Sequence, residues 1–229
     1  MNLGFDLISD LNITENDQFD WEGKPTSLYC LVAGNISNNV NVLNKTLLHL
    51  SKCYQGVFFI DGNLENPSVY EHIAVANRIT ESFSTIPNLI YLRNNVVVVD
   101  GVAILGINGW SNYKSYTDGD KFEIKARRYD DLVYLEQTTR KLQLHPDVRK
   151  IIILSNSVPS LDLYFGEIPD IDKDEIELDY VLDIDTEHKV THWAFGSHKK
   201  IVDTVKDNIN YLNNPKYETN PYYAKRITL

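Results

Sequence analysis

The chain has 229 residues, with 22 Lys+Arg against 32 Asp+Glu and a formal net charge of -10. A hydrophobic content of 43% excludes general disorder, and the longest apolar runs, Val96–Val99 and Ile151–Leu154, are strand-sized and too short to span a membrane. Ten acids and one base, Lys173, fall between Glu167 and Glu187, so the remainder is nearly neutral and offers no positive face to a nucleic-acid backbone.

In chain order, Leu3–Ser9 reads as a first strand and Ser27–Ala33 as a second, apolar on both faces. Val40, Val42, Leu43, Leu47, Leu48 and Leu50 predict a helix from Ser37 to about Cys53, buried along one side. Gly56–Ile60 is a third strand, and Ser68 to Phe83 a second helix with Ser68 as its cap. Strands follow at Leu89–Leu92, Val96–Asp100 and Val102–Ile107, the last two joined by Asp100-Gly101, a strong hairpin signal. A long helix is expected over Asp120–Leu142, then an apolar strand at Ile151–Ser155, an acidic loop, and a helix near Ile176–Asp185. Val190–Phe195, Lys200–Val205 and Ile209–Leu212 read as closing strands, with Asn213–Leu229 an extended tail. This alternation, without a linker-like stretch, predicts one α/β domain over 1–229, with mixed β-sheets sandwiched by helices.

The N-terminus shows no basic region followed by an apolar stretch, so no signal peptide is read and a cytoplasmic setting is expected. The sequons at Asn12, Asn35 and Asn44 are then chance occurrences. Cys30 and Cys53 lack CxxC spacing and read as free thiols. His49, His72, His145, His188 and His192 are scattered singly, and no Ser-His-Asp or Cys-His constellation can be argued. Gly106-Ile107-Asn108-Gly109 lacks the spacing of a phosphate-cradling loop. Tyr113, Tyr116, Tyr129, Tyr217, Tyr222 and Tyr223 mark a candidate protein interface, with ordinary partial burial the plainer account. The acidic 167–187 segment is a solvated surface or a docking face for a basic protein partner.

Chemistry in open α/β sheets collects just past the carboxyl ends of strands. There this chain places Ser9-Asp10-Leu11-Asn12, Ala33-Gly34-Asn35, Asp61-Gly62-Asn63-Leu64-Glu65, Ser155-Asn156-Ser157 and Gly196-Ser197-His198-Lys199. In order and spacing these five loops resemble the metallophosphoesterase (calcineurin-like phosphoesterase) family, whose pattern runs D-x-H, G-D, G-N-H-[DE], H and G-H-x-H. Leu89–Trp110 resembles the family's segment of hairpin and glycine-tryptophan. Asn214-Pro215 with Glu218, Asn220 and Pro221 resembles its closing loop. The resemblance runs from Ser9 to Leu229 and implies the family's layered α/β fold.

The resemblance also implies a two-metal site, and here the chain departs from it. The ligand positions read Asp10, Asn12, Asn35, Asn63, Asn156, Ser197 and Lys199, so only Asp10 and Asn63 survive, and the histidine acting on the leaving group is Leu64. One carboxylate and neutral amides cannot offset the dehydration of two divalent ions, and Leu64 transfers no proton. A catalytically inactive, metal-free and cofactor-free protein is expected, used as a structural or protein-binding module. The Lys199 ammonium is expected either in roughly a metal's place, paired with Asp10, or as a solvated rim residue. One alternative is an active site rearranged around a single Mg2+, Mn2+ or Ca2+ on Asp10, Asp61, Asn63 and Glu65. Another is a binder that holds a phosphate or nucleotide without cleaving it, using Lys199 and Lys200. His198 stands at the variable position of the last motif and is expected as a hydrogen-bonded surface residue. The family is widespread in bacteriophages, and 22 Asn with many Ile, Tyr and Lys suit an A/T-rich genome. A phage-encoded virion component, otherwise resident in the host cytoplasm, is therefore a further expectation.

Overall fold

A strand that is apolar on both faces must be covered on both, and this requirement sets the architecture. The computed structural model describes residues 3–66, 68–111, 117–165, 178–216 and 221–229. Most of the acidic stretch, with Tyr113, Tyr116, Tyr217, Glu218 and Asn220, lies outside them. The first half of the chain contributes β1 (Gly4–Ile8), β2 (Tyr29–Ala33), α1 (Val40–Cys53), β3 (Gly56–Ile60), α2 (His72–Phe83), β4 (Leu89–Tyr91), β5 (Asn95–Val99) and β6 (Val102–Ile107). The second half contributes α3 (Asp118–Leu144), β7 (Lys150–Ser155), β8 (Val190–Phe195), β9 (Asp203–Lys206), β10 (Ile209–Leu212) and β11 (Lys225–Thr228).

Two mixed sheets form, in the orders β11-β1-β2-β3-β4 and β5-β6-β7-β8-β10-β9. The strands from β1 to β4, and β6, β7, β8 and β10, run parallel within their sheets. The strands β11, β5 and β9 join antiparallel at the edges. Between the sheets, Phe5, Leu31 and Phe58 belong to the same buried cluster as Ile104, Ile152 and Ala194. The opposite face of the first sheet packs Val32 and Val57 with Leu43 and Leu47 of α1 and Ile79 of α2. The opposite face of the second packs Ile153 and Trp193 with Leu135 and Leu142 of α3. The expected layering is what the structure shows, and burial of each such aliphatic side chain contributes about 1.5–3 kcal/mol.

Local chemistry places the ends. The Asn39 side chain accepts from the N–H groups of Asn41 and Val42 to start α1, and Thr117 with Asp120 forms a capping box on α3. Asp100 and Gly101 both have positive φ, 49° and 80°, the twist that a tight two-residue hairpin requires.

Three expectations are corrected. Ser68 does not cap α2, which begins at His72 behind Glu71; its hydroxyl instead accepts from Tyr70 N. The helix expected near Ile176–Asp185 is, within the described residues, a short 3-10 segment at Asp179–Ile184, where Asp185 instead caps the N–H groups of Lys189 and Val190. The extended tail ends in a true strand, because β1 would otherwise be an open edge; Gly4, Phe5, Asp6 and Leu7 pair with Thr228, Ile227, Arg226 and Lys225. Among the described residues no helix is long and apolar enough to cross a membrane.

Candidate functional site

The parallel strands β1, β2, β3, β7 and β8 bring their carboxyl ends together, and with them Asp10, Asn35, Asn156 and Ser197. Asn35 Nδ2 donates to Asp10 Oδ1 at 2.8 Å and to Ser197 Oγ at 3.0 Å. Ser197 Oγ donates to Asn156 Oδ1 at 3.0 Å, and Ser197 N–H donates to Asp10 Oδ1 at 2.9 Å. Asn156 Nδ2 donates to the Ala33 carbonyl, and Asn35 Oδ1 accepts from Leu64 N–H. Four of the positions that resemble metal ligands, Asp10, Asn35, Asn156 and Ser197, are thus spent on one another.

The backbone there is unusual. Asp10, Asn12, Asn35 and Ser197 all have left-handed φ between 49° and 56°. Asp and Asn tolerate this region through local hydrogen bonds, as Asn12 Nδ2 does by donating to the Asp10 carbonyl, whereas Ser is uncommon in it. Gly62 is required by crowding: a Cβ there would lie 2.5 Å from Asn35 Oδ1 and 2.6 Å from Asn156 Nδ2. Asp10 is buried, its Oδ2 has no hydrogen-bond partner, and burial pushes its pKa up to about 6 against the pull of Asn35 and Ser197.

The metals implied by the resemblance do not fit this donor set. The Asn35 amide nitrogen is turned into the cluster, where an NH2 group ligates no cation, and the Asn156 oxygen that faces the cluster is taken by the Ser197 hydroxyl. Asp10 Oδ2 is the single vacant carboxylate oxygen of that cluster. Among the described residues no group of three His, Cys, Asp or Glu side chains could hold a metal ion.

The alternative oxygen site on Asp10, Asp61, Asn63 and Glu65 is not assembled either. Glu65 Oε2 accepts from Asn35 N and Gly62 N, and Oε1 from Ile36 N and Ser37 N, at 2.7–3.0 Å. Glu65 therefore clamps the β2 and β3 loops together, a role the reading of the sequence missed. Asp61 Oδ2 instead accepts from Asn66. Asn63 is half-buried in the turn after β3, beside Leu64.

Lys199 does not take a metal's place. Its side chain is exposed, as is that of Lys200, whereas Asp10 is buried with Oδ1 already held by Ser197 N–H and Asn35. His198 is hydrogen-bonded as expected but buried: its ring meets the Lys200 backbone and tilts over Tyr164. The closing loop holds the end of β1. Tyr222 OH donates to the Asn214 carbonyl at 2.6 Å and accepts from Ser9 N–H, while Asn214 Nδ2 reaches the Leu7 carbonyl. Tyr222 is thus core rather than interface, and Tyr129 and Tyr223 are the exposed members of the tyrosine set among the described residues.

Compared by sequence, the chain matches no family model and no curated protein. Compared by structure, it is similar to phosphopantetheinyl hydrolase (PptH) from Mycobacterium tuberculosis, with a TM-score of 0.66 and 13% identity over 93% of this chain and 89% of that one. It is also similar to GAP50, the anchor in the inner membrane complex of Plasmodium, with a TM-score of 0.60 and 11% identity over 95% and 72%. A 5′-nucleotidase from Candida albicans matches with a TM-score of 0.52 and 12% identity over 94% and 46%. At such identities the likeness shows the fold alone: two mixed sheets flanked by helices, of the metallophosphoesterase type shared by phosphoesterase and nucleotidase hydrolases.

Proposed function

We propose that this chain is a non-catalytic protein of the metallophosphoesterase-type fold, used as a structural or protein-binding module. The observation that carries this reading is the closed network of Asp10, Asn35, Ser197 and Asn156, in which amides and a hydroxyl stand at ligand positions and bond to one another. Apart from one vacant oxygen, Asp10 Oδ2, the network is satisfied from within and ties the strand-end loops together without a cation. Leu64, at the position of the proton-transferring histidine, has no acid–base chemistry. The similarity to GAP50, itself an anchor, supports use of the fold as a scaffold. The Asn-, Ile-, Tyr- and Lys-rich composition supports a phage-encoded source, with a virion as the setting.

The test is metal content by mass spectrometry on protein purified without chelator, with hydrolysis of bis-para-nitrophenyl phosphate in added Mn2+ on the same sample. Metal far below one ion per chain, and a rate equal in wild type and Asp10→Ala, are expected. Stoichiometric metal with turnover lost in Asp10→Ala would sink the proposal.

A further inference from the structure

The strand-end cluster is at the carboxyl ends of β1, β2 and β7; at their amino ends the two sheets part. Gly4 of β1, paired with Thr228 of β11, faces Val102 and Lys150 of the other sheet across a cleft of about 1110 Å3. That volume is enough for a drug-sized ligand, whose pockets run to roughly 1,000 Å3. Its apolar wall continues the core between the sheets through Leu3, Val102 and Leu229, and Leu28 stands 55% exposed at the wall.

The charge around this cleft is opposite to that of the chain. Arg149, Lys150 and Arg226 line it, with Asp100 as the one acidic side chain of the lining among the described residues. None of the three cations is paired with a carboxylate among the described residues. Arg149 is held in place: it donates to the Asp100 carbonyl at 2.6 Å and lies on Gly101, where a Cβ would come within 2.7 Å of Nε.

A second observation points to the same spot. Ser27 Oγ is buried without a hydrogen-bond partner, and a Cβ on Gly4 would stand 3.1 Å from it and 3.6 Å from Arg226 Nε. A side chain at residue 4 would also crowd the Ile227 carbonyl at 3.3 Å, so Gly4 is what lets the Arg226 guanidinium seat at this edge of the cleft. Charge-assisted bonds from Arg to an oxyanion are among the strongest available.

We propose that this cleft binds a single-chain amphipathic anion, a carboxylate or phosphate head on an aliphatic tail. The head lies against Arg226 and Lys150, with Arg149 adding positive field, and the tail runs along Leu3, Val102 and Leu229. Among the described residues no aromatic side chain lines the cleft to stack a base, which sets nucleotides aside. The site is independent of the strand-end cluster, so it stands or falls separately from the proposed loss of catalysis.

The experiment is isothermal titration calorimetry with laurate and with dodecyl phosphate, each below its micellar concentration. Inorganic phosphate serves as the head alone and dodecyl maltoside as the uncharged tail. Both amphiphilic anions should bind, and Lys150→Glu with Arg226→Glu should weaken them by about tenfold or more. Arg226→Gln is the milder second variant, and melting without ligand confirms that each variant is folded. Maltoside binding as tightly as laurate, phosphate binding as tightly as dodecyl phosphate, or binding unchanged in both variants would overturn the proposal. So would Arg226-dependent pelleting with phosphatidylglycerol vesicles in the absence of laurate binding, which would make the surface a membrane contact instead.

Discussion

Glu65 shows how one side chain can look like a ligand and act as a fastener. It lies beside Asn63 in the sequence, yet its two oxygens take four backbone N–H groups from the β2 and β3 loops. Glu65→Gln keeps the shape but presents an NH2 group to two of those donors. Each buried donor left without an acceptor costs about 1–3 kcal/mol, so a loss of about 2–6 kcal/mol is expected in urea unfolding at pH 8. A loss under about 0.5 kcal/mol would show that the clamp does not hold these loops. Glu65 was legible as a polar residue at a strand end, but its partners were not. Four N–H groups from residues up to thirty positions away meet it only because β2 and β3 lie side by side.

At the scale of elements, periodicity and turn chemistry act within a few residues, which is why most strands, the three helices and the Asp100-Gly101 hairpin could be read directly. The strand β11 could not, because its four residues carry no distinct pattern and its partner β1 lies over 200 positions earlier. Ile227 is 2% exposed in the core between the sheets, so Ile227→Ala should cost about 2–4 kcal/mol and release amide-exchange protection along β1 as well as β11. Protection lost in β11 alone would mean that the strand is an appendage. Thr117→Ala removes one side of the capping box on α3, and a loss of about 1 kcal/mol is expected by thermal unfolding. An unchanged melting temperature would assign the start of α3 to packing instead.

Across the whole molecule, two buried groups titrate with opposite signs. Asp131, on α3, accepts from Gly109 N–H, and burial pushes its pKa up to about 6, aided by Asp61 and opposed by Asn94 and Arg93. A raised carboxylate contributes stability present at low pH and lost as pH rises from 3.8 through about 6. His192, on β8, is driven by burial down to about 4, with Lys150 adding to the shift, and it loses stability as pH falls below 6.5. Asp131→Asn should therefore gain on the wild type by on the order of 1 kcal/mol between pH 5 and pH 8, and His192→Gln should gain in the opposite direction. Parallel stability profiles for variants and wild type would refute both assignments.

By itself the sequence determined the layered α/β class and the chain order of the strands up to β10, because these follow from short-range pattern and residue identity. Only the tertiary structure decided how the side chains of the strand-end loops are paired. It turned Asn35 and Asn156 toward one another through Ser197, left Lys199 in solvent, and closed β1 with the C-terminal strand. It also brought Gly4, Ser27, Arg149 and Arg226 around one cleft. The reason is distance along the chain: burial and charge pairing there are settled between residues tens to hundreds of positions apart, where no local pattern records them.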